Sequence, residues 1–241
     1  MSDREVYALK HGATQPLIYG ISPLVFPKPA EWGENVTLTG FLSLGDHEKW
    51  KPSKGLREFL DSGPAPVYVG FGSMNAYVDK PAIRMVVEAA LAAGQRVILA
   101  TGWDGDSFDD APPGRSRVFL IGDASHQWLF PRMCALVHHG GAGTTAAAML
   151  SGVPSIIVPF ITDQFFWSHY AHDRGVAAQP IPFRRLTRTR VARALRLVLS
   201  DGRVRQKAAD MGAQLRLEDG VARAVEEVQR FAGETAQRKN F

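Results

Sequence analysis

With 241 residues, 45% of them hydrophobic and 22% charged, the chain has enough apolar material to build a large core, which excludes disorder throughout. Its single cysteine, Cys134, excludes an internal disulfide, and no run approaches the roughly 20 apolar residues of a membrane helix. A net charge of +4 leaves anionic ligands and acidic membrane surfaces open without selecting either.

Residues 1–63 carry Pro16, Pro23, Pro27, Pro29 and Pro52, with Trp32 and Trp50 among them. Prolines at this density oppose long helices and central strands, so an extended arm is expected, with strands only at Leu17–Tyr19 and Val36–Leu42. Residues 64–232 read differently. Val67–Phe71, Arg96–Ala100, Val118–Ile121, Ala135–His138 and Ser155–Val158 are continuous apolar runs, the form of parallel strands covered on both faces. Helical patterns at Lys80–Ala93, Thr144–Ser151 and Gln164–Arg174 lie between them, with Gly94 and Gly152 placed as helix C-terminal glycines. The βαβαβ order predicts an α/β domain with a Rossmann-like, doubly wound parallel sheet. Thr187 can cap a helix whose Val191, Leu195 and Val198 share one face while Arg190, Arg193 and Arg196 lie elsewhere on it. That arginine face is either a docking site for lipid phosphates or, more commonly for such faces, a solvated surface. Val204–Leu217 and Val221–Phe231 are further helices, and residues 233–241 read as a polar tail.

The most informative segment is Val137-His138-His139-Gly140-Gly141-Ala142-Gly143-Thr144-Thr145, which leaves a strand and opens a helix. Its glycines let bare backbone approach a ligand, and the N–H groups of the helix's first turn have no internal partners. Together with the positive end of the helix dipole they suit a diphosphate. Thr144 and Thr145 can add hydroxyl donors and His138, at the strand end, an imidazole N–H. A glycine-rich turn without a ligand is the competing reading. Asp163 and Gln164 follow the next strand, where open parallel sheets collect ligands; a carboxylate beside an amide can grip sugar hydroxyls, although Asp163 can also be a simple helix cap. Gly70-Phe71-Gly72-Ser73-Met74 closes the first strand with another small-residue loop.

As a set, GFGSM at 70–74, HQWLFPR at 126–132, HHGGAGTTAAAMLSGVPSIIVPF at 138–160 and DQFFW at 163–167 resemble the nucleotide-sugar signature of GT-B family-1 glycosyltransferases. The likeness is nearest to the sterol 3β-glucosyltransferases and looser to the glycopeptide-antibiotic glycosyltransferases, and it covers roughly residues 15–200. It implies that His138 and Gly140, Gly141, Ala142, Gly143, Thr144 and Thr145 hold the diphosphate, with Ser73 contacting phosphate. Asp163 and Gln164 would hold the sugar. Ser125, His126, Gln127 and Trp128 would cradle the uracil, and Trp103 would line the base pocket, with core packing an equal alternative for both tryptophans.

The implied chemistry is inverting transfer from a UDP-sugar, with negative charge growing on the departing diphosphate and His138 helping to stabilise it. No cofactor or metal is expected beyond the UDP-sugar co-substrate. The Asp104–Asp106 pair reads as a solvated loop, and His169 with His172 lacks a third ligand. Residues 15–63, with Tyr19-Gly20-Ile21-Ser22-Pro23, resemble the end of an acceptor domain followed by an interdomain linker. The acceptor domain itself is expected from elsewhere, as a missing domain or a partner chain, and with it the general base. Plant members carry a ribose-binding glutamate where this chain has Ala146, a difference shared with the sterol branch. Expected partners are the donor and a sterol, lipid or polyketide-like acceptor, with no nucleic acid. The expected setting is cytoplasmic, with peripheral contact at a membrane surface also open. A non-catalytic UDP-sugar-binding module is the alternative function.

Overall fold

The short apolar runs become strands β1 (Leu17–Tyr19), β2 (Val36–Leu38), β3 (Val67–Gly70), β4 (Val97–Ala100), β5 (Val118–Ile121), β6 (Ala135–His138) and β7 (Ser155–Ile157). The computed structural model describes residues 16–43, 50–101 and 115–238. These fall into two units, one within Met1–Leu44 and Gln214–Phe241, the other within Gly45–Ala213. Among the described residues the helices are α1 (Lys54–Asp61), α2 (Lys80–Ala92), α3 (His126–Leu129), α4 (Ala142–Ser151), α5 (Thr162–Asp173), α6 (Arg188–Ser200), α7 (Gly202–Leu215) and α8 (Gly220–Arg238).

The larger unit holds a five-stranded sheet in the order β5-β4-β3-β6-β7, parallel throughout. Side chains alternate across it, and both faces are apolar. Val67, Val69, Val97, Leu99, Val137 and Ile156 bury against Val86 and Val87 of α2 and Val191, Leu195 and Val198 of α6. Tyr68, Ile98 and Leu136 face the other way, onto Leu56 of α1, Leu129, Phe130 and Ala148 of α4. The expected doubly wound sheet is therefore present. α2 starts where the Asp79 carboxylate accepts the Ala82 N–H at 3.1 Å. α6 starts at Thr187, whose hydroxyl accepts from the Arg190 N–H at 3.4 Å.

Proline density predicts an extended arm before the sheet, but the structure differs in two ways. α1 lies inside the segment expected as linker, because Pro52 precedes the cap and leaves Ser53 free to accept the Leu56 N–H at 3.2 Å. Residues 16–43 fold within the smaller unit, where β1 and β2 pair in parallel from Leu17↔Val36 to Tyr19↔Leu38. Tyr19 stacks on Trp32 at 5.1 Å between centroids, and the buried Ser22 hydroxyl donates to Glu218 at 2.9 Å. α8 runs on to Arg238, through much of the stretch expected as a polar tail. No described helix is long and apolar enough to cross a membrane.

The strand order assigns different weights to leucines of similar appearance. Leu136 on β6 is fully buried, whereas Leu120 on the edge strand β5 is 42% exposed. Leu136→Ala is expected to lower unfolding free energy by about 2–5 kcal/mol and Leu120→Ala by less than about half of that. Urea denaturation of both variants checks this ranking, and equal losses would contradict the sheet order.

Candidate functional site

From β3 the chain winds outward through β4 and β5, then returns to lay β6 on the opposite side of β3. The order reverses between β3 and β6, so the loops leaving these two strands diverge and open a crevice at their carboxyl ends. Gly70 is in register with His138, and His138 with Ile157. Three loops therefore end side by side: 70–74, 138–145 and 158–164.

Gly140 turns the chain out of β6 with φ of +89°, and a Cβ there would lie 2.7 Å from Ile157 Cγ2 and 3.1 Å from the Gln164 carbonyl oxygen. Only glycine satisfies both restrictions. No side chain caps α4, which follows at once. Its first-turn N–H groups lack intrahelical partners, and its dipole leaves positive potential at the same place. Ala142 and Gly143 are exposed, and a Cβ built on Gly143 would meet nothing within 4 Å. The helix start is open.

The two histidines before the turn have different surroundings. His138 is fully buried, and its Nδ1 accepts the Gly140 N–H at 3.2 Å. That bond places the ring proton on Nε2, which has no partner. Burial, reinforced by the neighbouring His139 and His126, pushes the His138 pKa down to about 3. The ring expected to donate to a ligand is thus neutral, and through Nδ1 it braces the turn. Strand alternation explains this, since His138 shares the face of buried Leu136.

His139 leaves that face. Its ring fills the gap between the two glycine loops, with Cε1 3.2 Å from where a Gly72 Cβ would stand and Nε2 2.5 Å from one on Gly141. Burial lowers its pKa and nearby Asp163 raises it. Its Nδ1 is buried without a partner, as is the Thr145 hydroxyl. Three orphaned polar atoms, on His138, His139 and Thr145, thus converge on one turn, and buried polar groups are rarely left so.

The remaining expected residues divide. Ser73 is exposed on the short turn after β3. Asp163 is exposed and accepts from the Thr162 hydroxyl at 3.1 Å. Thr162, a β-branched residue with φ of +36°, carries backbone strain at this mouth. Gln164 is buried, its oxygen accepting from the Phe160 and Ile161 N–H groups at 2.8 and 3.3 Å. That oxygen ties down the loop. Ser125 caps α3, accepting from the Trp128 N–H at 3.4 Å. His126 stacks on Phe130 at 4.3 Å and lies 3.5 Å from the Tyr68 hydroxyl, whose pKa burial raises. Gln127 is half-buried.

Trp128 is in other company. It sits between Trp50, 5.2 Å away, and Arg132, whose guanidinium lies 3.9 Å over its ring. A cavity of about 600 Å³ there is lined by Trp128, Arg132, Arg57, Leu60 and Asp61 and includes no residue of the glycine turn. Asp61 and Arg132 precede β3 and β6, so this is the amino end of the sheet, and Trp128 packs there, the alternative held equal to a base contact. Trp103 and the Asp104–Asp106 pair lie outside the described residues. His169 and His172 each face a backbone carbonyl, of Phe165 at 2.6 Å and Ala177 at 3.4 Å.

Residues 113–228 match the family described as erythromycin biosynthesis protein CIII-like, C-terminal domain. The chain is 38% identical over 214 residues to a sterol 3-beta-glucosyltransferase of Arabidopsis thaliana, an alignment covering 89% of this chain and 33% of that protein. It therefore spans about a third of that relative's length. Among solved structures, the glycotransferase of kitacinnamycin superposes with a TM-score of 0.73 at 21% identity, covering 90% of this chain and 55% of that one. The glycosyltransferase VinC, solved in complex with dTDP, superposes with a TM-score of 0.59 at 22% identity, covering 71% and 43%.

The buried imidazole makes stability pH-dependent. In the unfolded chain it titrates near 6.5, in the folded chain at about 3. Between those values the unfolded state holds a proton the folded state lacks, so stability falls as pH drops from 6.5 towards 3, and this group contributes no slope above 6.5. His139 and His126, also lowered, act in the same direction. The unfolding free energy from urea denaturation is expected to fall by up to about 1.4 kcal/mol per pH unit from His138 alone. The decline should be shallower in His138→Asn, which cannot ionise; equal slopes would disprove this origin.

Proposed function

We propose, from the premise that the chain carries the C-terminal domain of a GT-B glycosyltransferase, that its glycine turn binds a UDP-sugar. The domain would then supply the donor half of an inverting transfer to a sterol or related lipid hydroxyl. The observation that carries this reading is the convergence of three unpartnered buried polar atoms on an uncapped, exposed helix start. A diphosphate supplies many acceptor oxygens and two or more negative charges, which answer both deficits. The sterol part rests on the name of the plant relative.

In this reading the diphosphate lies on the N–H groups of Ala142, Gly143 and Thr144, with Ser73 reaching from the β3 loop. His139 is the imidazole partner, in the role the sequence suggests for His138. Burial lowers its pKa and a bound anion opposes that effect, so binding raises its proton affinity and favours donation. Asp163, at the start of α5, accepts from sugar hydroxyls while the Gln164 amide donates. As the acceptor oxygen attacks the anomeric carbon, negative charge grows on the leaving UDP, and these fixed donors stabilise that charge more than the ground state. The reading requires no metal, because helix dipole and imidazole supply the compensation.

Acceptor and general base are assigned to the part of the relatives that this chain does not span, whether within a longer protein or on a partner chain. That incomplete span also keeps open a second reading, a module that binds donor without transferring it. Addition of an acceptor domain separates the two, since only the first predicts sugar transfer.

Calorimetric titration tests the donor site. UDP is expected to bind and His139→Ala to weaken it by about tenfold or more, the value of a hydrogen bond to a charged group. Asp163→Ala should weaken UDP-glucose by a similar factor yet leave UDP within about twofold, since its partner is the sugar. If neither UDP nor dTDP produces heat, the donor reading fails.

A further inference from the structure

A cavity of about 680 Å³ opens beyond β7, between residues 178–182 and α6. The chain reaches this edge because Ala177 bridges Ser155 in parallel and the Ile181 N–H donates to the Ile157 carbonyl, extending the sheet past its last strand. Arg185, Arg190, Arg193 and Arg196 line the cavity with Gln179 and Leu197, and no lining residue is acidic. It shares no residue with the glycine turn.

These cations lack counter-charges. Among the described residues no carboxylate pairs with any of the four, although Arg188 on the same helix pairs with Glu88. Arg190, Arg193 and Arg196 are spaced three apart, close enough along the helix for like charges to repel. The Arg190 guanidinium donates to the Arg185 carbonyl at 3.2 Å, holding both residues at the rim. A solvated helix face explains arginines that spread into water. It does not explain four that converge on a concavity the size of a small-ligand site without one acid among them.

We propose that this cavity is an anion site, separate from the donor site, for a ligand bearing two or more phosphate groups. A lone carboxylate brings a single charge to four guanidiniums. Phosphates bring several, with oxygen pairs that match the guanidinium fork in bidentate contacts. Leu197, 39% exposed at the same cavity, gives an apolar contact beside the charges. A free phosphate compound and a phosphorylated lipid headgroup present the same chemistry, and experiment separates them.

The test compares the full chain with Arg193→Glu/Arg196→Glu, and with Arg193→Gln/Arg196→Gln should charge reversal impair folding. All four changes fall on exposed positions. Inorganic pyrophosphate is expected to bind the wild type at this cavity, and the variants should weaken that binding by about tenfold or more. Added salt should weaken it as well. Any pyrophosphate taken up at the glycine turn persists in the variants, and UDP binding that the variants retain and that an added His139→Ala weakens shows that the donor site is intact. Phosphatidylcholine vesicles containing phosphatidylinositol bisphosphate form the second arm. Sedimentation of the wild type but not the variants with them assigns a lipid headgroup; a pyrophosphate difference without it assigns a free phosphate compound. Equal pyrophosphate and vesicle binding by wild type and variants, or no binding of either probe by the wild type, overturns the proposal.

Discussion

The hydrogen bond from the Gly140 N–H to His138 Nδ1, 3.2 Å long and shut off from water, sets the path of the chain as it leaves β6. It requires the imidazole to be neutral with its proton on Nε2, and it requires a left-handed backbone that only glycine adopts cheaply at that spot. Once the bond is made, the chain can only continue outward, past the ring of His139 and into α4. The Ile157 side chain and Gln164 backbone close the inner side of the turn, so a Cβ at Gly140 would have nowhere to go. Everything proposed for the site depends on this bend, because it brings an uncapped helix start to the crevice between β3 and β6.

The electrostatics follow from the same packing. Three histidines cluster at the carboxyl end of the sheet, yet burial lowers the pKa of each. The site is therefore less positive than its sequence suggests, and in the proposed reading its attraction for an anion comes first from backbone dipoles. Such dipoles are fixed by the fold and need no reorganisation when charge develops on a ligand. Asp163, at the mouth, works against anion binding but restores proton affinity to His139. In the proposed reading, a carboxylate that meets a neutral sugar and a helix start that meets its diphosphate divide the donor between them.

Much of this was legible in the sequence, because continuous apolar runs and glycine-rich bends have few structural solutions. The parallel sheet, the helix caps and the conjunction of three loops all follow from local patterns. The resemblance points to His138, the first histidine, because it adjoins the strand and looks like its terminal donor, whereas the proposed role falls on His139. Counting by two from Leu136 places His138 on the buried face, and that signal was available. Trp128 was harder to place. Its aromatic character suits a base and a core equally, and only the three-dimensional position of Trp50 and Arg132 decides between them. For the N-terminal arm, the strands at Leu17–Tyr19 and Val36–Leu38 were legible, but proline density limits helix length without saying where a chain segment packs. Ser22 meets Glu218 across most of the sequence, a pairing no local pattern announces.

The two proposed sites, the arginine cavity and the glycine turn, are physically different answers to an anion. The turn uses backbone N–H groups on a rigid bend, so it is selective for shape and nearly indifferent to surface charge. The cavity uses long side chains whose repulsion is unrelieved until a ligand arrives, so its affinity must be sensitive to ionic strength and to the number of charges the ligand brings. A ligand with one phosphate gains little there, because each guanidinium pair needs its own oxygen pair for bidentate contact. The same ligand at the turn would gain from several N–H groups at once. Selectivity between the two sites therefore rests on charge count and spacing, and α6 sets the spacing, since one and the same helix carries Arg190, Arg193 and Arg196 along its cavity side and Val191, Leu195 and Val198 in the core beneath.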